Sequence, residues 1–451
     1  MKIVIVGAGK VGEVLCRDLA TEGYDIVLIE IDRQKLEHLI DIADITGVVG
    51  NGAAIDSQIE AGVNEADIFI AVTEHDEINI IASIIAKKLG AKHTIARVRS
   101  PEYSTNMTFA QKELGITVMI NPERESAKAI VDILKFPSSF GVETFMQGKV
   151  NIVEFEVHKD NPLIDKALMD VSITDEKILV CVVRRDGNSY IPDGNFVIKE
   201  GDKIQVTGTV RAINEFILKC NYSTKPIRLV LIIGGGDMAY YLARELNNRG
   251  IRFKIIEINE ARAEFLSESF PNALIIHGDG TNQELLIEQR IENYDAVIAC
   301  TPIDEENIIV SLFSSSMGVT KNITKISRNI LKPIAEKLEL DTVITPKKII
   351  ADEIIRYIRS VFNTMGNKVV NLHRLANDEM EAIQFLISED SKAIGIPLKD
   401  LKVKPETLFA CIKRGDKIIY PGGEDFILIG DQVLVVTKEK YIDEFDNVLE
   451  Y

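Results

Sequence analysis

Short apolar runs alternate with amphipathic stretches through the first 135 residues. Lys2-Ile-Val-Ile-Val6 is β-branched throughout and predicts a buried parallel strand. Val11, Val14, Leu15 and Leu19 then recur at helical spacing, and residues 25–29 form a second apolar run that ends on Glu30. An amphipathic helix follows at 34–42, then a short strand near 45–49 and the turn Gly50-Asn51-Gly52. Residues 66–73 predict a fourth strand, and the acidic run Glu74–Glu77 suits the start of a helix reaching Leu89. Residues 94–98 and 115–120 predict strands five and six, and Asn121-Pro122 opens another helix with proline in its first turn. Alternation of this kind implies a six-stranded, doubly wound parallel sheet.

From about 150 the pattern changes. Residues 151–157 and 177–183 are strand-like, while Arg185-Asp-Gly187 and Pro192-Asp-Gly194 predict hairpin turns. The strand pattern continues over 196–206. This is a small α+β unit.

The opening then begins again. Arg228-Leu-Val-Leu-Ile-Ile-Gly-Gly-Gly-Asp-Met-Ala239 matches it, with Gly234 in the place of Gly7 (234 − 7 = 227). Glu257 and Asn259 fall on Glu30 and Asp32 at the same offset. Gly278-Asp279-Gly280 answers Gly50-Asn51-Gly52, and residues 295–301 answer 67–73, at an offset of 228 (301 − 73). The small unit repeats too: Cys411-Ile-Lys-Arg-Gly-Asp answers Cys181-Val-Val-Arg-Arg-Asp. The predicted fold is α/β: two Rossmann-like domains, each followed by a small α+β domain, in the order A-B-A′-B′. Expected bounds are 1–136, 143–220, 227–360 and 368–451, with linkers near 137–150 and 221–227.

Candidate chemistry concentrates at the glycines. Gly7, Gly9 and Gly12 form G-x-G-x-x-G between a strand and a helix, and Glu30 lies 30 − 12 = 18 residues further on. Gly7 serves the tight turn, Gly9 lets a pyrophosphate approach the backbone, and Gly12 brings helix against strand. Lys10, Val11 and Gly12 open the helix, whose free N–H groups and dipole favour phosphate. Glu30 or Asp32 is placed to accept from ribose hydroxyls, and neither is the arginine that a 2′-phosphate favours. Asn51 and Thr73 end strands where ligands bind in open parallel sheets. Arg97 and Arg99 share a face of the predicted fifth strand, and one of them is expected to reach phosphate. The second copy offers Gly234, Gly236, Ala239, Glu257, Asp279 and Thr301. It carries Asp237 where the first has Lys10, has no arginine aligned with Arg99, and is expected to bind phosphates less well. His75 and His277 are expected to be satisfied structural histidines.

Bulk properties remove several classes. A net charge of −17 argues against a nucleic-acid partner, which needs a basic surface. The five cysteines are scattered without a C-x-x-C pair, and the six histidines show no metal-ligand spacing. Apolar runs fall short of the roughly 20 residues needed to span a bilayer, so a soluble intracellular protein is expected. A nicotinamide-dependent oxidoreductase is the rival reading. It would need a proton-exchanging group on a unique second domain, whereas the second domain here is small and duplicated.

The order A-B-A′-B′, Val6-Gly-Ala-Gly-Lys-Val-Gly12, Asp67-Ile-Phe-Ile-Ala-Val-Thr73 with Asp76-Glu-Ile-Asn79, Ile95-Ala-Arg-Val-Arg-Ser-Pro-Glu-Tyr103 and Gly278-Asp-Gly-Thr-Asn-Gln-Glu-Leu-Leu286 together resemble the regulators of potassium conductance. The resemblance covers essentially the whole chain and is closest to the regulatory subunits of Trk potassium uptake. It implies a nucleotide, NAD(H) or ATP/ADP, held in the A domains, with Arg99 as the phosphate arm. It further implies no catalysis and a homo-oligomer, a tetramer making a ring of eight A domains. That ring would dock at the cytoplasmic face of a membrane potassium transporter or channel and change its pore on binding nucleotide.

Overall fold

The computed structural model describes residues 1–451 apart from 105–106, 172–176, 223–224, 339, 341, 364–368, 377–378, 441, 443 and 451. Ser223 and Thr224 of the expected linker at 221–227 lie outside the described residues. The first sheet consists of β1 (Lys2–Val6), β2 (Asp25–Glu30), β3 (Thr46–Val49), β4 (Ile68–Ala71), β5 (His93–Arg97) and β6 (Val118–Ile120). Its order is β3-β2-β1-β4-β5-β6, with every neighbouring pair parallel. Ile3, Val4 and Ile5 are fully enclosed, as expected where helices cover both faces of a parallel sheet. Val6 pairs with Ile29 on one side and Ala71 on the other. The turns leaving β1 and β4 therefore emerge side by side where the strand order reverses, the place at which such sheets open a crevice.

Next come β7 (Gly141–Phe145), β8 (Val150–Glu156), β9 (Ile178–Arg185), β10 (Asn188–Tyr190) and β11 (Lys203–Gly208), in an antiparallel sheet of order β10-β9-β11-β8-β7. Three expectations are corrected here. The stretch 137–150 is not simply a linker, because β7 pairs along β8 from Gly141↔Glu154 to Phe145↔Val150. As an edge strand it is only partly buried, so its apolar alternation is weak. The strand expected over 196–206 is confined to β11. Before it, buried Asp202 takes Arg185 Nε at 2.7 Å and the Lys199 N–H at 2.8 Å, which shapes a loop instead. Asp186 and Gly187 both have positive φ, at 52° and 82°, and make the predicted hairpin between β9 and β10. Pro192-Asp-Gly194 leads into the loop and joins no strands.

The pattern repeats. β12 (Leu229–Ile233), β13 (Arg252–Glu257), β14 (Leu274–His277), β15 (Ala296–Ala299), β16 (Lys321–Lys325) and β17 (Val343–Ile344) form a sheet of order β14-β13-β12-β15-β16-β17. β18 (Val369–Leu375), β19 (Met380–Leu386), β20 (Thr407–Arg414), β21 (Lys417–Ile419) and β22 (Gln432–Thr437) form β18-β19-β22-β20-β21, the counterpart of the first antiparallel sheet.

Packing joins like with like. One compact unit is Met1–Val131 with Arg228–Ile355, and the other is Asp132–Ile227 with Arg356–Tyr451. Within the first, Asn121 Nδ2 donates to the Tyr241 hydroxyl at 3.0 Å, tying the two parallel-sheet modules together. Within the second, Phe145, Cys181, Met380, Cys411 and Leu434 share one apolar core. All five cysteines are buried and unpaired. Burial, followed by the charge of Glu13, pushes the Cys16 thiol up to about 12, so it behaves as an inert apolar group. Among the described residues, no helix is long and apolar enough to cross a membrane.

Candidate functional site

The chain leaves β1 through Gly7, whose φ of 103° favours glycine. A Cβ there would lie 3.2 Å from the backbone nitrogen of Thr73, so the turns after β1 and β4 are in contact. Gly9 caps the helix Lys10–Thr21 without a side-chain hydrogen bond, and nothing lies within 4 Å of where its Cβ would be. The first-turn N–H groups of that helix therefore face a space that an anion can enter. A Cβ on Gly12 would fall 1.9 Å from the Gly7 carbonyl oxygen, so close helix-to-turn packing accounts for the third glycine. Val11 is buried beneath the helix, and Lys10 is exposed on its opening turn.

The two acids placed for ribose both hold backbone. Glu30 accepts from the Ala8 N–H at 2.5 Å and the Asp32 N–H at 3.0 Å, bracing the glycine turn against the end of β2. Asp32 caps the helix Arg33–Ile42, accepting from the N–H groups of Gln34 at 2.9 Å and Lys35 at 3.3 Å. Asn51 closes its own turn by accepting from the Ala53 N–H at 2.9 Å.

Beyond β4 the organising residue is Asn79, fully buried on the helix Asp76–Leu89. Its side chain accepts from the Thr73 N–H at 2.9 Å and hydroxyl at 2.7 Å, and donates to the carbonyls of Thr73 at 3.1 Å and Arg97 at 2.9 Å. Asn307 repeats the three backbone bonds around Thr301 and Lys325, without the hydroxyl bond. Neither asparagine was nominated from sequence. Asn79 stands in the Asp76-Glu-Ile-Asn79 stretch that carries the resemblance, and Asn307 recurs at the 228 offset (307 − 79) in the matching helix.

β5 ends at Arg97, so strand alternation does not govern Arg99, and the two guanidinium groups part. Arg97 Nη1 donates to the Thr73 carbonyl at 3.1 Å, while its Nε is buried without a hydrogen-bond partner. Burial, then the charge of Arg99, lowers its pKa. Arg99 turns to the loop before the helix, donating to the Glu74 carbonyl and lying 3.8 Å from Asp76. Asp76 in turn accepts from the N–H groups of Arg99 and Ser100, both at 2.8 Å. His75 is exposed before this helix, and His277 Nε2 lies 3.1 Å from the Ile258 carbonyl.

The second copy keeps the skeleton and changes the charges. Gly234 has φ 95°, Gly236 has nothing within 4 Å of a Cβ, and Ala239 is fully buried in place of Gly12. Glu257 accepts from the N–H groups of Gly235 at 2.5 Å and Asn259 at 2.7 Å. Asp237 does not project alone into solvent: Arg262 Nη2 holds it at 3.0 Å while Arg262 Nε donates to the Gly235 carbonyl at 2.7 Å. The Thr301 hydroxyl lies 3.1 Å from both the Ile303 carbonyl and a Glu306 carboxylate oxygen, sharing its one hydrogen between them. Asp279 accepts from the Thr281 hydroxyl at 2.7 Å and N–H at 2.9 Å, which lowers its pKa. Arg328, one residue beyond the position aligned with Arg99, pairs with Asp304 and Glu305. Among the described residues, no group of three or more His, Cys, Asp or Glu side chains could hold a metal ion.

The TrkA-N domain description matches residues 3–122 and again 230–346, and the TrkA-C domain description matches 152–220 and 382–450. A Trk system potassium uptake protein TrkA homolog of Archaeoglobus fulgidus is 30% identical over 448 residues, covering 99% of this chain and 100% of its own. The TrkA of Vibrio alginolyticus is 30% identical over 455 residues, covering 99% and 98%. Among solved structures, the GsuK channel bound to NAD superposes with a TM-score of 0.61 at 17% identity, covering 97% of this chain and 76% of that one. The GsuK RCK domain gives 0.60 at 16%, covering 96% and 92%.

Proposed function

From the premise that the chain belongs to the TrkA family of Trk potassium uptake proteins, we propose that it is the nucleotide-binding regulatory subunit of a membrane potassium transporter or channel. The observation that carries this reading is the first glycine turn, whose uncapped helix faces open space beside Lys10 and a partly unpartnered Arg97. Gly7, Gly9, Lys10, Val11 and Gly12 cradle the phosphates, with Arg97 rather than the loop-pinning Arg99 reaching them. Glu30 and Asp32 still have acceptor capacity beyond their backbone bonds, since each carboxylate oxygen can take a second donor. With Asn51 and Thr73 they flank the adenosine end. Gly234, Gly236, Ala239, Glu257, Asp279 and Thr301 form a weaker second site. NAD(H), ATP and ADP are the ligand candidates, and GsuK, whose fold this chain shares, has been solved bound to NAD and bound to ADP.

The four modules expected at 1–136, 143–220, 227–360 and 368–451 act as two pairs, and binding in the parallel-sheet pair alters a ring built from four chains. That ring sits on the cytoplasmic face of its membrane partner and changes the pore without chemical turnover. Equilibrium titration of the purified full chain with NADH, NAD, ATP and ADP tests the core of this reading. About one strong site per chain is expected, and no binding below millimolar ligand would count decisively against it. Steady NADH oxidation with any added metabolite would favour the oxidoreductase. Light scattering is expected to report four chains, and a monomer at micromolar concentration would remove the ring.

A further inference from the structure

We infer that Tyr241, on the second parallel-sheet module, is a positioning residue of the first glycine-turn site, bracing the loop that leads away from Arg97. This rests on the nucleotide reading and adds a residue from the other module of the same compact unit. Tyr241 lies one turn into the helix Asp237–Asn248. Its hydroxyl accepts from Asn121 Nδ2 at 3.0 Å and donates to the Arg99 carbonyl at 3.4 Å, where Asn121 Nδ2 also donates at 2.8 Å. The N–H of that same peptide unit, belonging to Ser100, goes to Asp76 at 2.8 Å. One peptide is thus held at both poles, by Asp76 on its N–H and by Asn121 with Tyr241 on its carbonyl. Tyr241 and Asn121 are 4% and 1% exposed, so water cannot take over the bond between them.

The duplication supplies the control. Val14 stands where Tyr241 does (241 − 227), Ser327 answers Arg99 (327 − 228), and Thr345-Pro346 answers Asn121-Pro122. Valine offers no hydroxyl, so the reciprocal link from the first helix to the second module's loop cannot form. The modules therefore pack with this bond on one side only, and packing alone does not call for it. It is present at the site that carries Lys10 and absent at the site that carries Asp237. Arg97 stands two residues before the braced carbonyl, with Nη1 on the Thr73 carbonyl at 3.1 Å and Nε buried without a hydrogen-bond partner. Glu123, Asp76 and Glu74 are the carboxylates that act on it, and among the described residues none forms an ion pair with it. A side chain that meets a ligand binds well only where its backbone is fixed beforehand. Asn79 holds the Arg97 carbonyl at 2.9 Å, and the pair Asn121–Tyr241 holds the chain two residues on.

The experiment titrates the full chain with ADP and with adenosine, as wild type, Tyr241→Phe, the neighbouring Tyr240→Phe, Arg97→Gln and the double variant Arg97→Gln with Tyr241→Phe. Tyr241→Phe keeps the ring and removes only the hydroxyl. It is expected to weaken ADP about three- to tenfold, the loss typical of one neutral hydrogen bond, and adenosine by less than about twofold. Tyr240, whose ring centroid lies 5.6 Å from that of Tyr241, is the control, and Tyr240→Phe should change neither ligand. In the Arg97→Gln chain the further change Tyr241→Phe should cost ADP less than about twofold, because the residue it positions is gone. A merely structural tyrosine would instead weaken both ligands alike and would cost as much with Arg97 absent. ADP affinity unchanged in Tyr241→Phe, an equal loss of ADP and adenosine, or an undiminished loss in the Arg97→Gln chain would each overturn the inference while leaving the nucleotide site in place. A wild-type chain that does not bind ADP would remove the underlying reading and this inference with it.

Discussion

At the first glycine turn Lys10 stands on the opening helical turn with no ion pair to a carboxylate among the described residues, whereas at the second Asp237 takes that place and Arg262 holds it at 3.0 Å. The main hydrogen bonds that shape backbone around the turns are common to both. Glu30 and Glu257 brace the turns, Asn79 and Asn307 order the loops after the fourth strands, and Asp76 and Asp304 hold the loops after the fifth. Arg97 and Lys325 each donate to the threonine carbonyl beside the turn, at 3.1 and 3.4 Å. The hydrogen bonds that the fold requires survive in both copies, while the charges facing the crevice have diverged. At the second turn Arg262 supplies from within the protein the cation that answers Asp237. The crevice there is closer to electrically satisfied without a ligand, and the first is not.

The largest test of this comparison is the third glycine. Gly12→Val places two methyl groups where even a Cβ would meet the Gly7 carbonyl at 1.9 Å, while buried Ala239 shows that the other turn accommodates one. We expect Gly12→Val to cost about 1–3 kcal/mol in denaturant unfolding and to abolish strong nucleotide binding. Ala239→Val should leave that binding intact. Unchanged binding in Gly12→Val would mean that the first turn is not the strong site.

Next in size is the brace. Glu30→Gln and Glu257→Gln each weaken a charge-assisted pair of backbone hydrogen bonds, and similar losses of about 1–3 kcal/mol are expected in chemical unfolding. Only Glu30→Gln should also weaken the strong nucleotide site. Equal losses of binding in calorimetry would end the argument for unequal sites.

A gain of function comes third. Asp237→Lys recreates the charge of Lys10 and frees Arg262, so a second nucleotide equivalent should bind within about tenfold of the first. Stoichiometry that stays at one would show that Ala239 or the turn itself, not charge, closes the second site. The smallest effect is a difference in acid sensitivity between the two turns that Asn51 and Asp279 close. The Thr281 hydroxyl, then its N–H, hold Asp279 below its ordinary 3.8. Its folded pKa is depressed, so its contribution to stability is present above 3.8 and fades as pH falls through the folded value. Asp279→Asn should flatten that acid limb slightly in unfolding midpoints measured from pH 6 to 3, whereas Asn51→Ala should not alter its slope. Identical limbs in wild type and Asp279→Asn would dismiss the contribution.

The sequence by itself determined the parallel strands, both glycine turns and the duplication, because each is written in local periodicity or in residues a few positions apart. Lys2–Val6 can be little but a buried strand, and Gly7 with its φ of 103° has few substitutes. Offsets of 227 and 228 (234 − 7, 301 − 73) exposed the repeat without any contact being known. What depended on partners far along the chain was decided only by tertiary structure. The edge strand β7 carries no strong alternation and exists because β8 offers it hydrogen bonds. Arg97 and Arg99 look alike in sequence, and only the end of β5 and the position of Asp76 send one toward the crevice and the other to a loop. Asp237 reads as a bare carboxylate until Arg262 is seen beside it. Asn121 meets the Tyr241 hydroxyl at 3.0 Å only because two modules distant in sequence pack together.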